Sequence, residues 1–103
     1  MIRHFVHLKF RAEISEAEQQ ALYADLEALR GHLSGILDFH TARNVSPEEP
    51  VVHGFRDLFW FDFETAADRD AYLEDPAHKA AGARLVAATE GGRDGIFVCD
   101  LKL

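Results

Sequence analysis

Residues 55–63, FRDLFWFDF, decide the fold. The run is dense in aromatic residues, the composition of a strand that packs on a pleated sheet. Successive strand residues face opposite sides. Phe55, Asp57, Phe59, Phe61 and Phe63 therefore share one face, and Arg56, Leu58, Trp60 and Asp62 share the other. The first face is nearly all apolar and must lie under a covering layer. The second mixes aromatic, aliphatic and charged groups.

Working outward, IRHFVHLKF at 2–10 repeats the pattern, with Ile2, His4, Val6, Leu8 and Phe10 opposite Arg3, Phe5, His7 and Lys9. Between these runs the period changes. Leu22, Leu26, Leu29 and Leu33 form one stripe of an amphipathic helix, and Ser15 with Glu18 makes a capping-box signature at its start. ILDFHTARNV reads as a second strand and SPEEPVVHG as a loop. Downstream, Thr65 and Asp68 open a second helix that is interrupted at Asp75–Pro76 and runs to about Thr89; IFVCDLKL closes the chain as a strand. The order β-α-β-β-α-β predicts a single ferredoxin-like α+β domain over 1–103, an antiparallel sheet with both helices on one face. Strands one and three are expected as central neighbours running parallel. His4 and Asp57, the polar intruders near the starts of the two apolar faces, would then meet at one end of the sheet.

The other sheet face carries Phe5, Leu58 and Trp60 among Arg3, His7, Lys9 and Arg56. That surface is too apolar to leave in water and too polar for a dry core, which predicts a homodimer through it.

The second helix contains AYLEDPAHKAAGARLV at 71–86. In an unbroken helix Tyr72 and His78, six residues apart, would point about 120° away from each other. Pro76 removes a backbone donor and pushes Asp75 out of helical geometry. Asp75 suits an N-cap and Pro76 a first helical position, which makes His78 the third residue of a new helix. The break can aim Tyr72 and His78 into a common space. Ala80, Ala81, Gly82 and Ala83 either let this helix sit close on the sheet or leave a cavity beneath it. The positive end of the helix dipole favours a neutral His78 imidazole, Asp75 opposing, and a neutral imidazole can act as a general base.

Composition narrows the function classes. A formal net charge of −7, with no basic cluster, argues against nucleic-acid and anionic-membrane partners. No apolar run reaches membrane-spanning length, the N-terminus lacks a signal-peptide block, and Cys99 is the lone cysteine. A cytoplasmic protein is expected. Cys99, alternating with Phe97 and Leu101, is expected in the core. His4 and His7 fall on opposite strand faces, and His32, His40 and His53 lack ligand spacing, so no metal site is expected.

MIRHFVHLKF, YLEDPAHKA and the closing IFVCDL together resemble the stress-responsive A/B barrel (Dabb) domain family along essentially the whole chain. The resemblance implies a dimeric α+β barrel. One branch, the plant olivetolic acid cyclase type, closes a linear polyketide by intramolecular aldol chemistry without a cofactor. Similarity to it places a tyrosine–histidine pair on Tyr72 and His78 and a pocket histidine on His4; a further pocket histidine of that branch falls at Asp57, a departure. The resulting expectation is cofactor-independent acid–base chemistry on a small hydrophobic carbonyl ligand, with His78 as base, Tyr72 as its hydrogen-bonding partner, and His4 with Asp57 as the second polar cluster. Two other readings stand beside it: a non-enzymatic stress or binding protein, and a cofactor-free monooxygenase of the same barrel superfamily.

Overall fold

A single antiparallel sheet carries its long helices on one face. The structure, a computed structural model, describes residues 1–103. The strands are β1 (Ile2–Leu8), β2 (Ile36–Arg43), β3 (Asp57–Phe63) and β4 (Ile96–Lys102), in the order β2-β3-β1-β4. The helices are α1 (Glu16–Glu27), a single turn α2 (Glu49–Val52), α3 (Ala66–Glu74) and α4 (Pro76–Ala88). The capping boxes form as the sequence predicts. Ser15 accepts from the Glu18 amide and Thr65 from the Asp68 amide, each acid reaching back to its cap. The segment read as a loop holds α2, which ends at His53 in left-handed backbone conformation.

The expected parallel pairing of strands one and three is corrected. β1 pairs antiparallel with β3 as well as with β4. α1 carries the chain back across the sheet so that β2 runs the same way as β1, and the β2–β3 connection then reverses direction. Strand starts in β1 and β3 therefore lie at opposite ends: His4 is opposite Phe61, and Asp57 is opposite Leu8. His4 and Asp57 do not meet.

Within the strands the face parities hold. Ile2, Val6, Leu8, Phe59, Phe61 and Phe63 pack beneath the helices with Tyr23, Leu26, Leu29, Tyr72 and Leu85 in one core cluster. On the bare face Phe5 packs against Trp60 at 5.6 Å between ring centroids, His40 against Trp60 at 5.1 Å and His7 against Phe97 at 5.5 Å. Arg3 makes a two-pronged ion pair with Asp62 at 2.8 and 3.1 Å on that face. Three expectations change here. Phe55, outside β3, leaves the apolar row and packs against Phe97 at 6.3 Å between ring centroids, with Lys9 Nζ over its ring. Cys99 stands opposite Phe5, and its companions Phe97 and Leu101 are exposed, so this row belongs to the bare face and not to the core. Arg56 precedes β3 and turns into the 44–49 loop, donating to the Asn44 and Ser46 carbonyls.

Candidate functional site

The interrupted helix builds the site. Asp75 leaves helical geometry at φ −64°, ψ 129°, ending α3 and capping α4. One carboxylate oxygen accepts from the His78 amide at 3.0 Å, and the other lies 2.9 Å from His32 Nε2. The turn brings the rings of Tyr72 and His78 to 4.0 Å between centroids. Tyr72 is almost wholly buried, packed on Phe61 and Phe63, and its ring lies 5.8 Å from that of His4. Three of the four predicted site residues thus converge.

The fourth does not. Asp57 lies near the far end of β3, where Arg43 Nε approaches it at 3.5 Å beside Tyr23. The true partner of His4 is Asp100, whose Oδ1 is 2.6 Å from His4 Nδ1. The second oxygen of Asp100 accepts from Arg69 Nη1 at 2.6 Å. A signal for Asp100 existed in the sequence: in IFVCDLK it shares the alternating face of Ile96 and Val98, as His4 does that of Ile2 and Val6. Antiparallel pairing sets His4 and Asp100 directly opposite. Arg69 and Arg93 carried no such signal.

A cavity of about 540 Å³ opens between α4, the end of α3 and the β1–β4 edge of the sheet. His4, Tyr72, His78 and Asp100 line it among hydrocarbon from Val6, Phe59, Leu85, Val86 and Val98. The small residues of α4 divide their work. Ala81 is buried in the core, whereas Gly82 and Ala83 line the cavity. A Cβ built on Gly82 meets nothing within 4 Å. A second depression, about 350 Å³ between α1 and α4, includes Arg84 and Asp25, which neutralise each other at 3.0 Å, and contains no histidine or tyrosine.

Burial sets the protonation states. It lowers the His4 pKa, with the Asp100 carboxylate pulling the other way. It also lowers that of His78, opposed by the nearby Leu73 carbonyl. His78 Nδ1 is buried without a hydrogen-bond partner. Burial pushes the Tyr72 hydroxyl well above its ordinary value, so it stays a donor. At Asp100 burial would raise the pKa, but the hydrogen bonds from His4 and Arg69 outweigh it and hold the carboxyl below its usual value. Near neutral pH the cluster therefore holds two neutral imidazoles, one protonated phenol and one carboxylate. A neutral His4 donates its Nδ1 proton to Asp100 and keeps a lone pair on Nε2.

The profile of the stress responsive A/B barrel domain matches residues 2–102. The chain belongs to that family. Among solved structures, this A/B barrel chain is similar to a dimeric ferredoxin-like protein of unknown function from Jannaschia, at 31% identity over 99% of this chain and 98% of that one, with a TM-score of 0.88. An Arabidopsis thaliana protein matches at 21% identity over 100% and 95% of the two chains, with a TM-score of 0.87. A hydroxynitrile lyase from Passiflora edulis matches at 17% identity over 99% and 92%, with a TM-score of 0.82. The last two likenesses bear on the fold. No curated protein matches the sequence. Dimeric ferredoxin-like proteins of unknown function from Bacteroides fragilis and Thermobifida fusca share the fold at 23% and 14% identity. No helix of the chain is long and apolar enough to cross a membrane.

Proposed function

We propose that this A/B barrel protein is a homodimeric, cofactor-independent acid–base enzyme that abstracts a proton beside the carbonyl of a small hydrophobic substrate. The observation that carries the reading is the convergence of the Tyr72 and His78 rings, 4.0 Å apart between centroids, on one cavity that His4 also lines. A cluster of titratable side chains whose pKa values burial shifts apart, gathered on one cavity, is the arrangement acid–base chemistry uses. His78, neutral because burial lowers its pKa, accepts the proton from the α-carbon. Tyr72, protonated because burial raises its pKa, donates to the oxygen on which enolate charge develops. His4, oriented by Asp100, is the second base or the group that returns the proton. Passiflora hydroxynitrile lyase is an enzyme on this fold, which favours chemistry over packing alone as the use of the cavity. Asp57, the fourth site residue expected from the sequence, has no part in this scheme.

The dimer forms through the bare sheet face at Phe5, Leu58 and Trp60, where the Trp60 indole N–H also lacks a partner within the chain. The test of the chemistry does not require the natural product. Alkyl and aryl ketones are incubated with protein in D₂O and exchange of their α-protons is followed by NMR. Wild type accelerates exchange for the ketones that fit, His78→Ala abolishes it and Tyr72→Phe slows it. No acceleration across the panel, or acceleration that survives His78→Ala, removes the enzyme reading and leaves a binding protein.

A further inference from the structure

We infer that the cavity takes an amphiphilic carboxylate, its hydrocarbon body against α4 and the sheet and its head on Arg93, beyond the C-terminal end of α4 from His78. The inference rests on the cavity being a ligand site and is independent of turnover there. Three charged side chains line the cavity: Lys79, Arg93 and Asp100. Asp100 is consumed, one oxygen on His4 and the other on Arg69. That leaves two cations. Lys79 holds only a 3.5 Å contact with Glu74, between two largely exposed side chains. Such a contact contributes little and is readily exchanged. The Arg93 side chain makes no ion pair or hydrogen bond within the chain, although Glu90 and Asp94 flank it in sequence.

This arrangement runs against the composition. The chain carries 18 acidic against 11 basic Lys and Arg side chains, and its other arginines at 3, 11, 30, 43, 56, 69 and 84 are each engaged by a carboxylate. A free guanidinium at the edge of an apolar cavity is a preformed fork for a carboxylate, which it can bind through two parallel N–H donors. The hydrocarbon lining from Val6, Leu85, Val86 and Val98 suits an apolar tail and offers nothing to a second charge. His4, Tyr72 and His78 then meet the ligand away from its charged head. An oxo group carried there would face His78 and Tyr72, so the substrate class is a hydrophobic oxo-carboxylic acid.

The probes are octanoate, octan-1-ol and octylammonium, titrated by calorimetry against wild type, Arg93→Gln, Arg93→Lys and Lys79→Gln. Octanoate should bind wild type about tenfold or more tightly than octanol, the scale of one charge-assisted hydrogen bond, and octylammonium should bind most weakly. Arg93→Gln should reduce octanoate binding to the octanol level without changing octanol binding; Arg93→Lys should retain most of the preference, and Lys79→Gln should lose a smaller part. Equal affinities of the three probes for wild type, or an octanoate preference untouched by Arg93→Gln, overturn the inference. So does octanoate binding that disappears in Trp60→Glu and not in Arg93→Gln, since the site is then the bare sheet face. A carboxylate preference without α-proton exchange refutes only the proposed chemistry; exchange on neutral ketones without that preference refutes only the present inference.

Discussion

Gly82→Ala should stabilise the protein, which is unusual for a substitution on a helix that covers a core. Gly82 lies in the interior of α4, where glycine costs about 0.5–1 kcal/mol relative to alanine through the backbone entropy it loses on folding. Its backbone is helical, so alanine needs no change in φ. A Cβ at this position meets no heavy atom within 4 Å, because the space beyond it is the cavity. The gain in helix propensity is therefore not offset by a clash. For a domain of this size about 1 kcal/mol corresponds to a rise of about 4–8 °C, so the expected rise is about 2–8 °C. Thermal unfolding by circular dichroism at one fixed protein concentration measures it, since assembly makes the midpoint concentration-dependent. Two other glycines provide the contrast. At Gly35 an added Cβ would fall 2.0 Å from Asp68 Cγ, displacing the carboxylate that closes the capping box of α3. At Gly95 it would fall 2.5 Å from the Glu90 carbonyl oxygen. Both should lower the midpoint. A lower midpoint for Gly82→Ala would show that α4 closes onto the sheet in solution, and the cavity would go with it.

Further outcomes follow from the same geometry. His4→Phe and Asp100→Asn should each destabilise by about 1–3 kcal/mol, and the double variant should cost less than their sum, whereas His4→Phe and Asp57→Asn should add; urea denaturation measures both cycles, and a coupled His4–Asp57 pair would contradict the antiparallel register. Trp60→Glu should turn the dimer into a monomer in multi-angle light scattering, since a charge replaces the aromatic centre of the bare face; an intact dimer refutes that interface. Acidification should destabilise the fold. His4, His7 and His78 have pKa values lowered by burial from an ordinary 6.5, so the unfolded chain takes up protons that the folded chain resists, and stability falls as pH drops below about 6.5. The Asp100 contribution, from a lowered carboxyl, is lost only below its ordinary 3.8. The urea midpoint should therefore drop between pH 7.5 and 5.5, less steeply in His78→Ala; a flat profile would show that these imidazoles are solvated.

Several elements were legible without the fold because their causes are local. The capping boxes at Ser15 and Thr65, the stop at Asp75 and the restart at Pro76 depend on groups within four residues of one another, and they form as the sequence predicts. Strand parity likewise assigned the apolar rows to the core and placed Phe5, Leu58 and Trp60 on the bare face, because side chains alternate whatever lies beside the strand. The convergence of Tyr72 and His78 belongs to this class too, since one proline and one cap produce it. The pairing of polar residues between strands does not. Whether His4 met Asp57 or Asp100 depended on the direction of β3 relative to β1, which the path of the chain through α1 and the β2–β3 connection determines. A reversal there moved Asp57 to the far end of the sheet and left the β4 carboxylate opposite His4. The small residues of α4 were undecided for a similar reason. Ala81 and Gly82 are neighbours in sequence and about 100° apart around the helix, and only the packed position of α4 turned one into the core and the other toward the cavity.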